Sequence, residues 1–406
     1  MPKIINLDHF GRGIIKDNKK ITFIENTLVG EDVDYEIIEE HKKYNIGKVL
    51  NFNSLSKSRV IAPCPYYESC GGCKVQHMSY EDTLEFKKNK VSEILKKYAN
   101  LNLDIQTIAN DTPYNYRNKI SLKIINGDVG FYKSESHTLV KIDKCLIAKK
   151  ILNLFIKDIK YLNIKNGTIT LRCNYNDELL IDIKTKENIA IDLEYLVNKY
   201  KLVGIVINDK IYYQEDKFIE KINNKLFQVS YNSFFQVNDN ITSKIFNIVK
   251  ENINENSIVV DMFCGVGTLG IVASKKAKIV YGIEIVPNAI KNALINKKIN
   301  KVDNINFMLG DANKLVFKIN DNIDTLIIDP PRAGLSKDGL KSTLKLSPKN
   351  IIYISCDPMT LARDLKSLKD KYNITKFYIA DMFSYTYHVE CVAALYRRES
   401  KKMILN

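Results

Sequence analysis

Apolar and polar positions divide the 406-residue chain into three parts with different patterns. Residues 1 to about 58 contain short runs in which apolar side chains alternate with polar ones, such as Lys20–Ile24 and 34–38. Glycines stand between these runs at positions suited to turns. Alternation over a few residues, bounded by turn residues, predicts short strands and therefore a small β-barrel.

The middle part, which extends to about residue 225, mixes one helical segment with several strand-like runs. A helix is predicted from about 80 to 98, because Leu84, Val91, Ile94 and Leu95 share one of its faces. Several later runs, 119–124 and 179–183 among them, have the pattern of strands. This part is predicted to form a small α+β domain.

From about residue 230 the pattern changes to short, almost wholly apolar runs that alternate with helical segments. The runs lie at 258–261, 279–284, 326–329 and 351–354. Continuous apolar strands are typical of parallel sheets that are covered on both faces. The third part is therefore predicted to be a doubly wound α/β domain of the Rossmann-like class.

Charge and terminal sequence restrict the compartment and the partners. The formal net charge of +14 favours a polyanion such as nucleic acid, although abundant Lys and Asn can also reflect a genome-wide bias. No apolar stretch is long enough to span a bilayer, and the N-terminal residues lack the apolar core of a signal peptide. We expect a soluble cytoplasmic protein.

A glycine-containing turn after the first strand of the α/β part predicts a nucleotide-like ligand. The segment 261–268 contains Gly265 and Gly267, and Glu284 ends the next strand about twenty residues later. A dinucleotide turn normally has three glycines that face a pyrophosphate, so this turn suits an adenosine ligand without phosphates, such as S-adenosylmethionine. Asp329 ends a later strand and is expected in the same crevice. A plain βα turn is the alternative.

A cysteine and a carboxylate near the C-terminal end are candidates for chemistry. Cys356 follows the apolar run 351–354, and Asp357 and Pro358 have the residue types of a helix start. A thiol at a strand end beside a helix N-terminus is placed to ionise and attack. Glu390 offers a carboxylate for proton transfer. The alternative for Cys356 is an inert buried cysteine.

Four of the eight cysteines have the spacing of a metal site. Cys64, Cys70 and Cys73 form the pattern C-x5-C-G-G-C, and Cys145 is the fourth candidate. Four thiolates without a nearby histidine suit either zinc or an iron–sulfur cluster. A compact triad with a distant fourth cysteine, and only one C-x2-C pair, favours a [4Fe–4S] cluster.

Taken in their order along the chain, the motifs resemble those of the bacterial RNA uracil-5-methyltransferases, and in particular those of the 23S rRNA (uracil-5-)-methyltransferase branch. The resemblance covers nearly the whole chain, and the matching segments are 233–238, 261–268, 329–335, 355–358 and 381–392. It implies a TRAM RNA-binding barrel of the OB-like type over 1–58. It also implies a central iron–sulfur domain over 59–225, whose helix 80–98 can pack on the third domain, and an S-adenosylmethionine-dependent methyltransferase domain over 226–406.

The resemblance also implies roles for individual residues. Cys356 would be the nucleophile and Glu390 the general base, and the [4Fe–4S] cluster would be held by the four cysteines named above. The residues that would contact S-adenosylmethionine are Gln236, Phe263, Thr268, Glu284, Asp311 and Asp329. The chain departs from the family at Asp357, where Asn is common and where an added charge would oppose thiolate formation. It departs again at Ser384, where Pro is usual.

The function implied is methylation of uridine C5 in RNA, with 23S rRNA as the target and tRNA as the alternative. The protein would act as a monomer and would not contact a membrane. An RNA cytosine-5-methyltransferase would show a Pro-Cys pair, which Asp329-Pro330-Pro331 lacks, and an amino-directed enzyme would carry an aromatic residue in place of Arg332. The remaining alternative is a non-enzymatic iron–sulfur protein that binds RNA.

Overall fold

The computed structural model of the chain describes residues 3–17 and 20–398. The outermost residues of the predicted first and third domains, 1–2 and 399–406, therefore lie outside the described residues, as do residues 18–19.

The N-terminal part forms a five-stranded sheet in the order β1-β2-β3-β5-β4. Its strands are β1 (Asn6–Leu7), β2 (Gly13–Asp17), β3 (Lys20–Ile24), β4 (Asp32–Glu40) and β5 (Tyr44–Ser54). An antiparallel bridge between Lys3 and Asp32 joins the chain before β1 to the start of β4, so the two edges of the sheet meet. Apolar side chains fill the interior, chiefly Ile4, Ile15, Ile24 and Val33. The strand predicted at 20–24 is confirmed.

A helix and a strand then cross to the C-terminal sheet. Helix α1 (Tyr80–Ile94) begins at Ser79, whose hydroxyl accepts from the Asp82 amide, and continues as one π-helical turn over Leu95–Ala99. Its buried face packs into the core of the C-terminal domain. Strand β6 (Ile105–Ile108) pairs with an edge of the C-terminal sheet. The predicted helix is confirmed, but the segment from α1 to β6 lies on the C-terminal domain although it falls within the predicted central domain.

The central part is a seven-stranded sheet in the order β13-β12-β11-β10-β7-β8-β9. All neighbours are antiparallel except β11 and β12, because helix α3 provides the crossover between them. The elements are β7 (Lys119–Ile125), β8 (Asp128–Tyr132), β9 (Leu139–Lys141), α2 (Lys150–Asp158), β10 (Gly167–Cys173), β11 (Leu179–Lys184), α3 (Leu193–Lys199), β12 (Leu202–Ile207) and β13 (Lys210–Gln214). The described part of the chain contains two short 3₁₀ segments, Ile159–Leu162 here and Val316–Lys318 later.

A hairpin precedes the C-terminal sheet and belongs to it by packing. Strands β14 (Lys217–Ile222) and β15 (Lys225–Ser230) turn at Asn223 and Asn224, which both have positive φ as a type I′ turn requires. Phe218 and Phe227 of the hairpin are buried in the core of the C-terminal domain. The predicted boundary at 225/226 therefore divides a hairpin that packs as one unit.

The C-terminal domain is an eight-stranded sheet with helices on both faces, in the order β18-β17-β16-β19-β20-β22-β21-β6. The central strands are parallel, and β22 runs antiparallel between β20 and β21. The elements are α4 (Asp239–Glu251), β16 (Ile258–Met262), α5 (Thr268–Ala273), β17 (Ile279–Glu284), α6 (Pro287–Ile299), β18 (Ile305–Leu309), α7 (Ala312–Leu315), β19 (Thr325–Ile328), α8 (Lys337–Leu346), β20 (Asn350–Ser355), α9 (Pro358–Leu368), β21 (Tyr372–Ala380) and β22 (Glu390–Arg397). The predicted doubly wound α/β domain is confirmed.

Polar contacts join the central and C-terminal domains. Lys149 binds Asp239 at 2.5 Å, and Arg172 donates to the Ser233 carbonyl at 2.6 Å.

Within residues 3–17 and 20–398, no helix combines the length and the apolar character that crossing a membrane demands.

Candidate active site

Four parallel strands end at one edge of the C-terminal sheet, each close to a residue that the sequence singles out. Asp261 lies near the end of β16, Glu284 ends β17, and Asp329 and Cys356 directly follow β19 and β20. The strand order β17-β16-β19-β20 places the four in a row. With strands about 4.8 Å apart, the row spans about 14 Å. It forms the crevice at the carboxyl edge where α/β sheets bind ligands.

The turn after β16 is held in a conformation that depends on glycine. Gly267 has φ +84°, and a Cβ atom built there would lie 2.6 Å from the ring of Phe307. Phe263 also has positive φ, at +63°. The Glu284 carboxylate accepts from the Gly265 amide at 3.0 Å, so it fixes the turn from the neighbouring strand. Glu284 therefore supports the turn in addition to facing the crevice.

Asp261 supports the same turn from below. Its side chain is fully buried, and one carboxylate oxygen accepts from the Gly270 amide at 2.8 Å. The other oxygen has no hydrogen-bond partner within the described part of the chain. The pKa of Asp261 is raised to about 8, chiefly by burial; the hydrogen bond from the Gly270 amide opposes this rise, and the charges of Asp329 and Glu284 add to it. Asp261 is therefore largely neutral at pH 7.

An antiparallel strand brings Glu390 to the same edge. The register of β20 and β22 ends with the pair Ser355 and Cys391, and Cys356 and Glu390 are the next residues beyond that pair. Directly opposite residues of antiparallel strands have Cα atoms about 4.5–5.5 Å apart. Glu390 is only 3% exposed. Burial raises its pKa well above the usual range, the Asp329 charge adds to this, and Arg332 opposes it.

The Cys356 thiol has a raised pKa although it precedes a helix N-terminus. Burial is the main cause of a pKa of about 11, while Glu390 contributes in the same direction and Arg332 opposes it. Burial and the nearby carboxylate therefore act against the thiol acidity expected from the helix N-terminus. Asp329 itself has a pKa raised to about 7 by burial.

Asp357 is occupied with capping the helix that follows Cys356. Its carboxylate accepts from the amides of Met359 and Thr360, both at 2.9 Å, at the start of α9. The helix start predicted there is confirmed. Glu390 and Asp329 are the carboxylates that raise the pKa of Cys356 most, and the effect of the Asp357 charge stays a prediction.

Arg332 is the functional candidate that the motifs did not identify. It follows Asp329 by three residues at the crevice edge, and its guanidinium lowers the pKa of both Cys356 and Glu390. The sequence marked this position only as the place where an aromatic residue is missing. Its position in the turn after a crevice-lining strand is the signal that could have found it.

A buried ionic network fixes the loop between β21 and β22. Lys87 of α1 is fully buried and binds Asp381 at 2.5 Å. The same carboxylate accepts from Tyr80 at 2.7 Å and from Ser384 at 2.6 Å. Ser384, which stands where the family usually has Pro, therefore has a defined hydrogen-bonding role. The network attaches α1 to the loop that leads to Glu390.

The loop between β21 and β22 contains His388 and is contacted by the cysteine segment. Burial lowers the pKa of His388 to about 4, with contributions from nearby cations headed by Arg332, so its ring is neutral at pH 7. The Tyr385 carbonyl accepts from the amides of Lys74 and Val75, at 3.1 and 3.2 Å. The segment that contains Cys73 therefore directly supports the loop that leads to Glu390.

Two of the other predicted cofactor residues, Thr268 and Asp311, follow strands β16 and β18 of the same sheet. Thr268 begins α5, and Asp311 caps α7 by accepting from the Asn313 amide at 3.0 Å. Gln236 is half-buried, and its backbone carbonyl accepts from Asn118. The contacts of these residues with a cofactor stay predictions.

The four predicted metal ligands surround one cavity. Cys64, Cys70, Cys73 and Cys145 line a space of about 300 Å³. Among the described residues, however, no group of three or more His, Cys, Asp or Glu side chains is arranged to hold a metal ion, so the metal is not confirmed. A single zinc ion would need the sulfurs to converge at about 2.3 Å from one point. The structure shows the four cysteines around one cavity, and the group that they would hold stays a prediction.

Sequence comparison places the chain among known proteins. Residues 79–398 match the pattern of the tRNA (uracil-5-)-methyltransferase family. The chain is 34% identical to an uncharacterized RNA methyltransferase of Clostridium tetani, over 97% of this chain and 95% of that protein. It is 33% identical to one from Listeria monocytogenes, over 97% and 96% respectively.

Structural comparison gives the same assignment. The tRNA (uracil-54, C5)-methyltransferase of Pyrococcus abyssi, solved with S-adenosyl-L-homocysteine, superposes with a TM-score of 0.80 and 27% identity, over 97% of this chain and 98% of that one. The chain belongs to the tRNA (uracil-5-)-methyltransferase family. It is an S-adenosylmethionine-dependent RNA (uracil-5-)-methyltransferase.

Proposed function

We propose that the protein methylates C5 of uridine through a covalent adduct between Cys356 and C6 of the base. The observation that carries this proposal is the position of Cys356 and Glu390 directly beyond the Ser355–Cys391 pair of β20 and β22, where the Glu390 charge raises the pKa of the thiol. A nucleophile and a base so placed can act on neighbouring atoms of one ring. Cys356 directly follows β20 and Glu390 begins β22, so both residues are attached to the sheet.

The two residues would act in sequence. C5 of uracil is a weak nucleophile, and addition of the Cys356 thiolate to C6 converts the ring into an enolate whose C5 can attack. S-adenosylmethionine supplies the methyl group when it is bound. Glu390 then removes the proton from C5, and the returning electron pair restores the double bond and expels the Cys356 thiolate.

Arg332 would favour the ionised forms that this sequence needs. Burial raises the pKa of both Cys356 and Glu390, which opposes their ionisation. Arg332 lowers both pKa values, and it follows Asp329 by three residues. We therefore assign it electrostatic support of the thiolate and of the enolate oxygen.

S-adenosylmethionine would lie along the crevice, in contact with residues from four strand ends. Glu284 would meet the ribose hydroxyls, because it ends β17 beside the glycine turn. Asp329 would meet the amino acid end. The remaining contacts would come from Gln236, Phe263, Thr268 and Asp311. A largely neutral Asp261 keeps the turn in place without adding charge beside the ligand.

The outer domains would supply RNA binding and a structural cluster. The N-terminal sheet with joined edges is the proposed TRAM barrel over 1–58, and the central domain over 59–225 would hold a [4Fe–4S] cluster. The cluster proposal rests on the four cysteines that line one cavity, with zinc as the alternative. We propose that the protein is cytoplasmic and acts as a monomer.

We propose 23S rRNA as the target, because the motif set with its four cysteines resembles that branch. A second candidate is tRNA, since the Pyrococcus abyssi enzyme of similar structure is described as acting on uracil-54 of tRNA. Mapping 5-methyluridine in both RNAs from a deletion strain decides between them. Loss of the mark from 23S rRNA alone is expected, and loss from tRNA alone would overturn the choice of target.

The catalytic proposal itself is tested by incubating the protein with labelled S-adenosylmethionine and RNA from that strain. Label is expected at C5 of uridine. Absence of transfer with retained RNA binding would favour the non-enzymatic alternative, an iron–sulfur protein that binds RNA.

A further inference from the structure

A cavity of about 330 Å³ lies where the N-terminal sheet meets the loop that leads to Glu390. Phe10 and Arg12 line it from the N-terminal sheet, and Tyr387 lines it from the loop. The cysteine segment and the central domain complete the wall through Lys74 and Glu135. All three domains therefore contribute to one pocket beside the proposed reaction centre.

Phe10 presents an open aromatic surface in this cavity. Its side chain is 51% exposed, yet its ring is held in place by neighbours. The Tyr387 ring meets it edge-on at a centroid distance of 5.2 Å. The Arg12 guanidinium lies 5.3 Å from its centroid and is itself fixed by Asp8 at 2.7 Å. A large apolar ring that is both rigid and open is suited to stacking a planar ligand.

Aromatic rings continue from Phe10 to the reaction centre. Tyr387 packs on His388 at a centroid distance of 4.2 Å, and Glu390 follows two residues later. Lys90 fixes Tyr387 by donating to its carbonyl at 2.9 Å, with the ammonium 5.3 Å from the ring centroid. The open ring of Phe10 is thus connected by direct contacts to the loop that positions the proposed base.

Both cations of the cavity wall are paired with carboxylates. Arg12 is paired with Asp8, and Lys74 binds Glu25 at 3.1 Å. Glu135 adds a further acidic group to the wall. A cavity with paired cations, an added acidic group and an open aromatic ring is poorly suited to a phosphate and well suited to an uncharged ring system. Nucleobases are such ligands, and they stack on aromatic side chains in single-stranded RNA.

We propose that this cavity binds one unpaired base of the substrate RNA, other than the target uracil, stacked on Phe10. The proposal rests on the proposed action on RNA. A target base that is turned out of its stack leaves its neighbours without a stacking partner. Phe10 would replace that partner for a neighbouring base, and the contact with Tyr387 would place this base at a fixed distance from Cys356.

The test compares Phe10→Ala with Phe10→Trp and with Tyr212→Ala. Tyr212 is 47% exposed on β13 of the central sheet and does not line the cavity, so it is a matched exposed aromatic residue. The probe is total RNA from a deletion strain, and the readouts are the Kd for RNA by filter binding and the KM for RNA and for S-adenosylmethionine. Phe10→Ala is expected to raise Kd and KM for RNA by about tenfold or more, the effect of losing one stacked base.

Phe10→Trp and Tyr212→Ala are expected to stay near wild type, and the KM for S-adenosylmethionine should not move in Phe10→Ala. Equal RNA affinity for Phe10→Ala and Tyr212→Ala would overturn the inference. Wild-type protein that binds RNA without transferring methyl groups would defeat the proposed function alone. In that case a loss of RNA affinity specific to Phe10→Ala would still support the base-binding cavity.

Discussion

At the scale of single residues, the reaction centre is defined by a thiol and a carboxylic acid whose pKa values are both raised by burial. Cys356 directly follows β20 and Glu390 begins the adjacent β22, and the Glu390 charge also raises the pKa of the thiol. The motifs in the sequence predicted both residues. They did not predict the direction of the thiol's pKa shift, because that depends on which carboxylate faces the sulfur across the sheet.

A first prediction concerns the ionisation of Cys356. Its pKa in the folded protein is raised, so its thiolate forms only as pH rises toward about 11. Glu390→Gln removes a facing negative charge, and the alkylation of Cys356 by iodoacetamide should therefore shift to lower pH. The measurement is the pH dependence of alkylation of the peptide that contains Cys356, by mass spectrometry.

Asp357→Asn is the matched control, since it also converts an acid near Cys356 into an amide. The Asp357 carboxylate caps α9 and is not among the main charges that act on the thiol. A smaller shift is expected than for Glu390→Gln. A larger shift from Asp357→Asn would show that the adjacent residue controls the thiol after all.

A second prediction concerns Glu284. Glu284→Ala removes the proposed ribose contact and the hydrogen bond that fixes the glycine turn through Gly265. Binding of S-adenosylmethionine should weaken by about 1–3 kcal/mol, the cost of leaving polar partners unpaired. Titration calorimetry measures this. Glu255→Ala, an exposed residue before β16, is the control, and equal affinity of the two variants would reject the role of Glu284.

At the scale of elements, the apolar runs located the strands well because strands buried on both faces leave a continuous signal in the sequence. They could not show that β6 joins the C-terminal sheet. Its partner, β21, lies more than 260 residues further along the chain, and such pairing has no local pattern. The predicted domain boundary at 225/226 divided the hairpin β14–β15 for the same reason, since the packing of this hairpin against the C-terminal core is a tertiary property.

A third prediction belongs to the contact between α1 and the loop after β21. Lys87→Met leaves Asp381 as a buried charge without its cation, which should lower the free energy of unfolding by about 3–5 kcal/mol. Chemical denaturation measures the change. Lys141→Met removes an exposed ion pair with Asp128 and should cost no more than about 1 kcal/mol. A similar small cost for both variants would show that the buried pair does not hold the loop.

At the scale of the whole molecule, parts that are distant in the sequence converge on the loop that leads to Glu390. The loop contacts α1 through Asp381, the cysteine segment through Tyr385 and the N-terminal sheet through Tyr387. Motifs in the sequence indicated the three domains and the residues expected to take part in the reaction. The convergence was not predictable, because it depends on how the three domains pack.

A fourth prediction concerns the cysteine cavity. Anaerobically purified protein should be brown and contain iron, and Cys70→Ser should remove the iron. Because the cysteine segment donates two amide hydrogen bonds to Tyr385, the loss should also lower methyl transfer while the C-terminal domain still binds S-adenosylmethionine. Metal analysis and calorimetry measure both effects. Cys173→Ser, at a buried cysteine outside the cavity, is the control. Stoichiometric zinc without iron would contradict the cluster.

The central claim is that Cys356 attacks the base and that Glu390 completes the reaction. The measurement that tests it most directly is a denaturing gel of protein incubated with substrate RNA and S-adenosylmethionine. Glu390→Gln should add to C6 and transfer the methyl group but fail to remove the C5 proton, so a covalent protein–RNA complex should accumulate. Cys356→Ala should give neither complex nor product. Normal turnover by Glu390→Gln with no trapped complex would contradict the account and direct the search for the base to His388.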